Sequence, residues 1–104
     1  MLVVSRFRVE PSDEATFRTD LAAAVKALAA RPGFVRAESG RNVDEPGLWV
    51  LVTTWADVGS YRRALSAYDV KVGAVPLLSR ALDEPSAYEE SDGQLNESVP
   101  RTTG

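Results

Sequence analysis

The sequence contains neither cysteine nor histidine, and these two absences exclude several kinds of functional site. Without cysteine the chain has no disulfides, zinc–thiolate sites, iron–sulfur clusters or cysteine nucleophiles. Without histidine it has no Ser-His-Asp or Cys-His catalytic arrangement and no histidine-ligated haem. Any proton transfer would fall to Tyr, Asp, Glu, Lys, Arg, bound water or the substrate itself. We therefore expect no metal site and no cofactor.

Long hydrophobic runs and a basic patch are absent as well. No apolar stretch approaches the ~20 residues that cross a bilayer, and the initial MLVVSRFRV is too short and too soon charged for a signal peptide. A cytoplasmic location is the expectation. The net charge of −3 belongs entirely to residues 89–104, which hold four acidic residues and one arginine, so that residues 1–88 sum to zero. This distribution disfavours nucleic acid and anionic membrane as partners.

The length of 104 residues supports one modest hydrophobic core and therefore one domain. We place that domain at residues 1–91. Residues 92–104 are polar and lack periodicity, so they are predicted to be a disordered tail.

The first half of the chain predicts a strand, a helix and a second strand. The strand covers residues 2–9, with Arg6 and Arg8 opposite its apolar side chains. Ser12 is a candidate N-cap for the helix. The apolar stripe of that helix is Phe17, Leu21, Ala24, Val25 and Leu28. Residues 31–33 (Arg-Pro-Gly) form a stop signal before the second strand at 34–41. In that strand, simple alternation places Phe34, Arg36 and Glu38 opposite Val35, Ala37 and Ser39.

The second half predicts a hairpin, a helix and a last strand. A turn cluster at 43–47 leads into a third strand at 48–55. Asp57 is a candidate N-cap for the second helix. The apolar stripe of this helix is Val58, Tyr61, Leu65 and Tyr68. The last strand is placed at 85–91, after a short helical turn opened by Pro76; the alternative is a strand at 77–84.

The order strand–helix–strand–strand–helix–strand is typical of an α+β ferredoxin-like fold, an antiparallel sheet with two helices on one face. The third strand is apolar on both faces. Its two sets are Leu48, Val50 and Val52 on one side, and Trp49, Leu51 and Trp55 on the other. Helices cover only one of these faces, and an exposed apolar face indicates an interface. We therefore predict a homodimer in which two sheets pack face to face, an α+β barrel.

Three segments carry a resemblance to a known family: VVSRFRVEP, RPGFVRAESGR and LVTTWADVGSYRRAL. With them, roughly residues 2 to 90 resemble the antibiotic biosynthesis monooxygenase (ABM) family of dimeric α+β barrels. The resemblance implies a small-molecule pocket between the sheet and the helices. It also implies activities such as cofactor-independent oxidation of polyketide phenols to quinones, haem degradation or isomerisation. Trp55 matches the family tryptophan that lines the pocket, and Tyr61 matches a pocket tyrosine of the quinone-forming members.

Other positions depart from the family pattern. Leu51 stands where the quinone-forming members place an asparagine, and Ser39 and Gly40 replace their Tyr-His pair. Arg6 lies near the position of an asparagine in the haem-degrading members, whose histidine has no counterpart here. Haem degradation is therefore disfavoured.

The leading hypothesis is a cofactor-independent monooxygenase acting on a small aromatic or polyketide-like substrate. An electron-rich phenolate would react with oxygen while the protein orients it and excludes water. The candidate catalytic residues are Trp55, as a wall for a flat ring, and Tyr61, as a hydrogen-bond or proton-relay group. The candidate substrate-binding residues are Arg6, Arg36, Leu51 and Leu65, the arginines as stabilisers of an oxyanion.

Simpler interpretations of the same residues stay open. A tryptophan at a strand end also suits a core or an interface, and Tyr61 lies on an apolar helical stripe where packing alone explains it. The alternative functions are a non-catalytic dimer that binds a small molecule or a partner protein, and an isomerase or cyclase on the same scaffold.

Overall fold

The fold consists of an antiparallel sheet with the helices on one of its faces. The computed structural model describes residues 1–91. Its strands are β1 (Leu2–Arg8), β2 (Phe34–Arg41), β3 (Leu48–Trp55) and β4 (Ala87–Tyr88), in the order β2-β3-β1-β4. Its helices are α1 (Glu14–Ala29), α2 (Val58–Ser66), α3 (Tyr68–Gly73) and α4 (Val75–Leu78), and a 3₁₀ turn (Pro11–Asp13) precedes α1. The predicted α+β ferredoxin-like order is confirmed, whereas the tail predicted at 92–104 lies outside the described residues.

The pairing register shows why β3 is apolar on both sides. On the face that the helices cover, Ser5 pairs with Leu51 and Phe7 pairs with Trp49, and all four are buried. The opposite side of the same two strands forms what we call the open face. Its apolar residues are Leu2, Val4, Leu48, Val50 and Val52, and Arg6 and Arg8 lie on the same side of β1, opposite Val50 and Leu48. These side chains lie outside the core cluster that joins the sheet to the helices.

An aromatic cluster fixes α1 on the covered face. The Phe17 ring lies between Phe7, with centroids 5.2 Å apart, and Trp49, with centroids 5.4 Å apart. Tilted and edge-on contacts at these distances are favourable beyond the area that they bury. The spacing of Phe17, Leu21, Ala24 and Leu28 along α1 brings all four into the same core, as predicted.

Two predictions for the first half of the chain are wrong. A bulge in β2 between Phe34 and Arg36 leaves Val35 53% exposed, so that Phe34 joins the covered face with Ala37. The extra residue in the bulge shifts the alternation by one position, which simple counting does not detect. Ser12 does not cap α1 either, because it lies inside the 3₁₀ turn that precedes the helix.

The region after β3 forms three short helices, where the apolar periodicity predicts one helix followed by a helical turn. Asp57 caps α2 as expected and accepts a hydrogen bond of 2.7 Å from the Ser60 amide. Ala67 then takes an extended conformation that ends the helix, so Tyr68 begins α3 and is 78% exposed instead of lying on the α2 stripe. Pro76 lies in the first turn of α4, and the last strand falls within 85–91 as preferred. Within residues 1–91 no helix is long and apolar enough to cross a membrane.

Candidate functional site

Trp55 lies at the end of β3 and is enclosed by other side chains. Only 1% of it is exposed, and its ring meets Phe34 edge-on at 5.4 Å between centroids. Its indole N–H donates a hydrogen bond of 3.0 Å to Thr53 Oγ1. Both the apolar body and the polar donor of Trp55 are therefore already partnered within the protein.

Tyr61 connects Trp55 to open space. It lies one turn into α2, and its ring centroid is 5.8 Å from that of Trp55. Tyr61 also lines a cavity of about 410 Å³. Burial raises the pKa of Tyr61 above its ordinary value. The phenol therefore stays protonated at neutral pH, where it can donate or relay a proton but cannot act as an anionic base.

The cavity lies between β1, α4 and the irregular segment that leads to β4. Its polar lining comes from Ser5, Tyr61, Ser79, Asp83, Glu84 and Ser86, and its apolar lining from Val4, Leu78, Ala81 and Leu82. The volume suits a small organic molecule. Trp55 is not among the lining residues and supports the cavity from behind Tyr61. The charged side chains of this lining are both carboxylates, Asp83 and Glu84.

Arg6 anchors one wall of this cavity from the other side of β1. Its guanidinium donates two hydrogen bonds to the Glu84 carboxylate, of 2.8 and 2.7 Å. The pairing lowers the pKa of Glu84 and raises that of Arg6, with the hydrogen bond between them as the main cause. Backbone bonds from Val4 to Ser86 and from Leu82 to Arg6 hold the same segment. Arg6 therefore reaches the cavity only through Glu84.

The remaining predicted residues are spread over the fold. Arg36 projects from the face opposite the helices and forms an exposed ion pair of 3.6 Å with Glu38. Leu51 is 2% exposed within the core. Leu65 is partly buried and packs against that core from α2. The structure thus brings Trp55 and Tyr61 together, while these three residues do not line the cavity beside Tyr61.

Sequence reasoning missed the carboxylates and serines of the cavity. Asp83, Glu84 and Ser86 belong to a stretch without periodicity, where backbone hydrogen bonds to β1 decide the position of each side chain. The sequence carries one signal for Ser5, its place on the same side of β1 as Val3 and Phe7, which predicts an inward hydroxyl.

Comparisons with a family model and with solved structures both point to the same protein family. A family model described as antibiotic biosynthesis monooxygenase matches residues 1–73. The fold is similar to SnoaB, a cofactor-independent oxygenase from Streptomyces nogalater, with 27% identity and a TM-score of 0.72 over 88% of this chain and 94% of that one. A mutant of SnoaB is 30% identical, with a TM-score of 0.68 over 78% of this chain and 82% of its own.

A conserved protein from Methanosarcina mazei Go1 is similar in fold alone. It shares 21% identity, with a TM-score of 0.67 over 83% of this chain and 84% of that one. A search of curated proteins gives no significant match.

Proposed function

Because this chain belongs to the antibiotic biosynthesis monooxygenase family, we propose that it is a cofactor-independent monooxygenase acting on a small aromatic or polyketide-like substrate. The observation that carries the proposal is the position of Tyr61 at the wall of a 410 Å³ cavity, with Trp55 packed behind it. The similarity to an oxygenase that needs no cofactor supports the same class of reaction. We place the substrate in the cavity beside Tyr61.

The chemistry requires an electron-rich substrate, because the protein supplies no electrons. A phenolic ring with an activated CH₂ group loses a proton, and the resulting carbanion reacts with O₂. One oxygen atom becomes the new carbonyl, and the other leaves as water with the two hydrogens of the CH₂ group. The neutral phenol of Tyr61 is suited to hydrogen-bond the substrate oxygen or to return a proton to the reduced oxygen. The Asp83 carboxylate at the cavity wall is a candidate acceptor for the first proton.

Trp55 has a supporting role in this proposal. Its ring presses on one side of Tyr61, and its N–H is held by Thr53, so the tyrosine is fixed in place. A fixed donor stabilises developing charge better than a mobile one because it needs no reorganisation during the reaction. In this arrangement Trp55 is a positioning residue, whereas Tyr61 faces the substrate.

The rival function is a non-catalytic dimer that binds a small molecule. Two observations favour it: Leu51 fills the core where oxygenating relatives are expected to place an asparagine, and Trp55 has no free donor. An isomerase or cyclase would use the same cavity and differs only in not consuming oxygen.

Oxygen uptake with a panel of anthrone-like phenols tests the proposal. We expect turnover by the unmodified protein, and a loss of about tenfold or more in Tyr61→Phe, the size expected for one hydrogen bond to a charged group. Tyr68→Phe is the matched control, because Tyr68 is 78% exposed on α3 and removal of its hydroxyl should change nothing.

The alternatives give different results in the same assay. Saturable binding without oxygen uptake would support the non-catalytic dimer, and conversion without oxygen uptake would support an isomerase or cyclase. Neither binding nor turnover with any phenol of the panel would contradict both the oxygenase and its proposed cavity.

A further inference from the structure

A second groove lies at the far end of the covered face, between α1 and β2. It has a volume of about 490 Å³ and is lined by Arg18, Leu21, Val25, Lys26, Ser39 and Trp49, together with Ala22. We call it the α1–β2 groove. Trp49 and Trp55 are six residues apart on β3, so this groove is roughly 20 Å along the strand from the site beside Tyr61.

The walls of the α1–β2 groove are apolar and preorganised. Leu21 is 7% exposed and Trp49 is 5% exposed, so each presents one edge to the groove and packs the rest into the core. The Trp49 ring is held from behind by Phe17, with centroids 5.4 Å apart. A ligand contacting these walls would meet surfaces that do not have to rearrange, which lowers the entropic cost of binding.

The charged side chains of the lining are both basic. Arg18 and Lys26 lie on the same side of α1, eight residues and therefore about 12 Å apart along its axis. Arg18 stacks over Trp49 at 4.7 Å from its centroid and is bonded to Glu14. Lys26 forms no ion pair with any residue in the part of the chain that the structure describes. The sign of the charge is thus opposite to that of the cavity beside Tyr61, where Asp83 and Glu84 are the charged residues.

We propose that the α1–β2 groove binds a small amphipathic anion. A flat apolar body lies against Trp49, Leu21 and Val25, and a carboxylate-type head group pairs with Lys26 and reaches Arg18 at the rim. Lys26 supplies a cation that has no carboxylate partner among residues 1–91. Arg18 is held in place by its stacking on Trp49 and by Glu14, which accepts hydrogen bonds from its Nε and Nη2, so its Nη1 is the nitrogen left to donate to a carboxylate. This site is separate from the proposed oxygenase cavity and does not depend on it.

Titration of the full chain with 2-naphthoate, followed by ¹⁵N NMR, tests the proposal. We expect saturable shifts at the Trp49 indole N–H and the Ser39 amide, with the Trp55 indole N–H unmoved. The neutral 2-naphthamide has nearly the same shape and should bind about tenfold more weakly, because it lacks the charge that Lys26 and Arg18 recognise. The cationic 2-naphthylmethylammonium should bind more weakly still.

Two substitutions with matched controls locate the binding. Ala22→Phe places a ring in the groove and should abolish the shifts, whereas Ala23→Phe, also exposed on α1 but outside the lining, should leave them. Lys26→Gln should weaken naphthoate binding about two- to fivefold, the range for an exposed ion pair. Lys71→Gln on α3 makes the same charge change away from the groove and should have no effect.

The proposal is overturned by several results. These are equal affinity for naphthoate and naphthamide, undiminished binding in Ala22→Phe, shifts centred on Tyr61 instead of Trp49, and no saturable shift at millimolar naphthoate. Lys26→Gln keeps the core unchanged, so it decides the role of charge even where the larger Ala22→Phe substitution alters the helix.

Discussion

Gly33 occupies a position in the turn between α1 and β2 that a residue with a side chain fits poorly. Its φ is +88°, in the left-handed region that glycine tolerates. A Cβ atom placed there would collide with the side chain of Ser60 in the first turn of α2. The Gly33 carbonyl also accepts a hydrogen bond of 2.7 Å from Ala56. The turn therefore packs directly against the start of α2, the helix that carries Tyr61.

Gly33→Ala should lower the free energy of unfolding by about 2–4 kcal/mol, since it combines an unfavourable φ with a steric clash. Urea unfolding followed by circular dichroism measures the change. Gly40→Ala is the matched control, because nothing lies within 4 Å of the Cβ that it would add. It should change stability by less than about 0.5 kcal/mol. Equal effects of the two substitutions would contradict the role assigned to Gly33.

Trp55 and Tyr61 show how far sequence reasoning reaches at the scale of single residues. The resemblance implies that both residues line a pocket, and in the structure their rings lie 5.8 Å apart between centroids. The sequence does not reveal which of the two faces a cavity. That depends on Phe34 and Thr53, which enclose Trp55 from another strand and from two residues upstream. The assignment of both residues to a substrate site stays a prediction.

At the scale of elements, the stability of α2 depends on the hydrogen bond that caps its first turn. The carboxylate of Asp57 accepts the Ser60 amide, and this hydrogen bond is the main reason why the pKa of Asp57 lies below its usual range. A carboxylate whose pKa is lowered by folding stabilises the folded state. This stabilisation is fully present at pH values above the pKa of the carboxylate in the unfolded state, about 3.9. That stabilisation is lost as the pH falls through the folded-state pKa.

Asp57→Ala should lower the Tm at pH 7 by about 4–8 °C, the range for a lost N-cap in a domain of this size. Asp57→Asn keeps a capping oxygen without the charge, so its Tm should be slightly below that of the unmodified protein at pH 7. The two should converge as the pH falls through the folded-state pKa of Asp57. Thermal melts between pH 2.5 and 7 measure this, with Asp44→Asn in an exposed turn as the control. A constant difference at every pH would show that the charge of Asp57 is irrelevant.

The elements that sequence periodicity predicts are the long ones. The apolar residues of α1 recur every 3.6 residues, and those of β1 and β3 alternate. Each pattern allows only one orientation of the element that buries its apolar side chains. Residues 81–86 have neither pattern. They are placed by hydrogen bonds from Val4 and to Arg6, and by the ion pair between Arg6 and Glu84, contacts about 80 residues apart in the chain. The cavity wall could not be predicted for that reason, although the sheet behind it could.

At the scale of the whole molecule, the two faces of the sheet have different surroundings. The helices cover one face with a continuous core that runs from Phe7 to Trp55. The open face is apolar along its centre, where Val4 pairs with Val52, and is edged by the charged pairs Arg6–Glu84 and Arg36–Glu38. An apolar centre within a polar rim is the usual anatomy of a protein interface. We therefore retain the homodimer, with two open faces packed together, as a proposal.

Val52→Glu tests the homodimer directly. In the dimer the substitution would bury a carboxylate at the centre of two packed sheets without a cation beside it, which costs several kcal/mol. We expect light scattering to give a dimer for the unmodified protein at micromolar concentration and a folded monomer for Val52→Glu. Ala23→Glu adds the same charge to the outer surface of α1 and should remain dimeric. If the unmodified protein is monomeric at that concentration, the homodimer is contradicted, and a partner sheet no longer explains the second apolar face of β3.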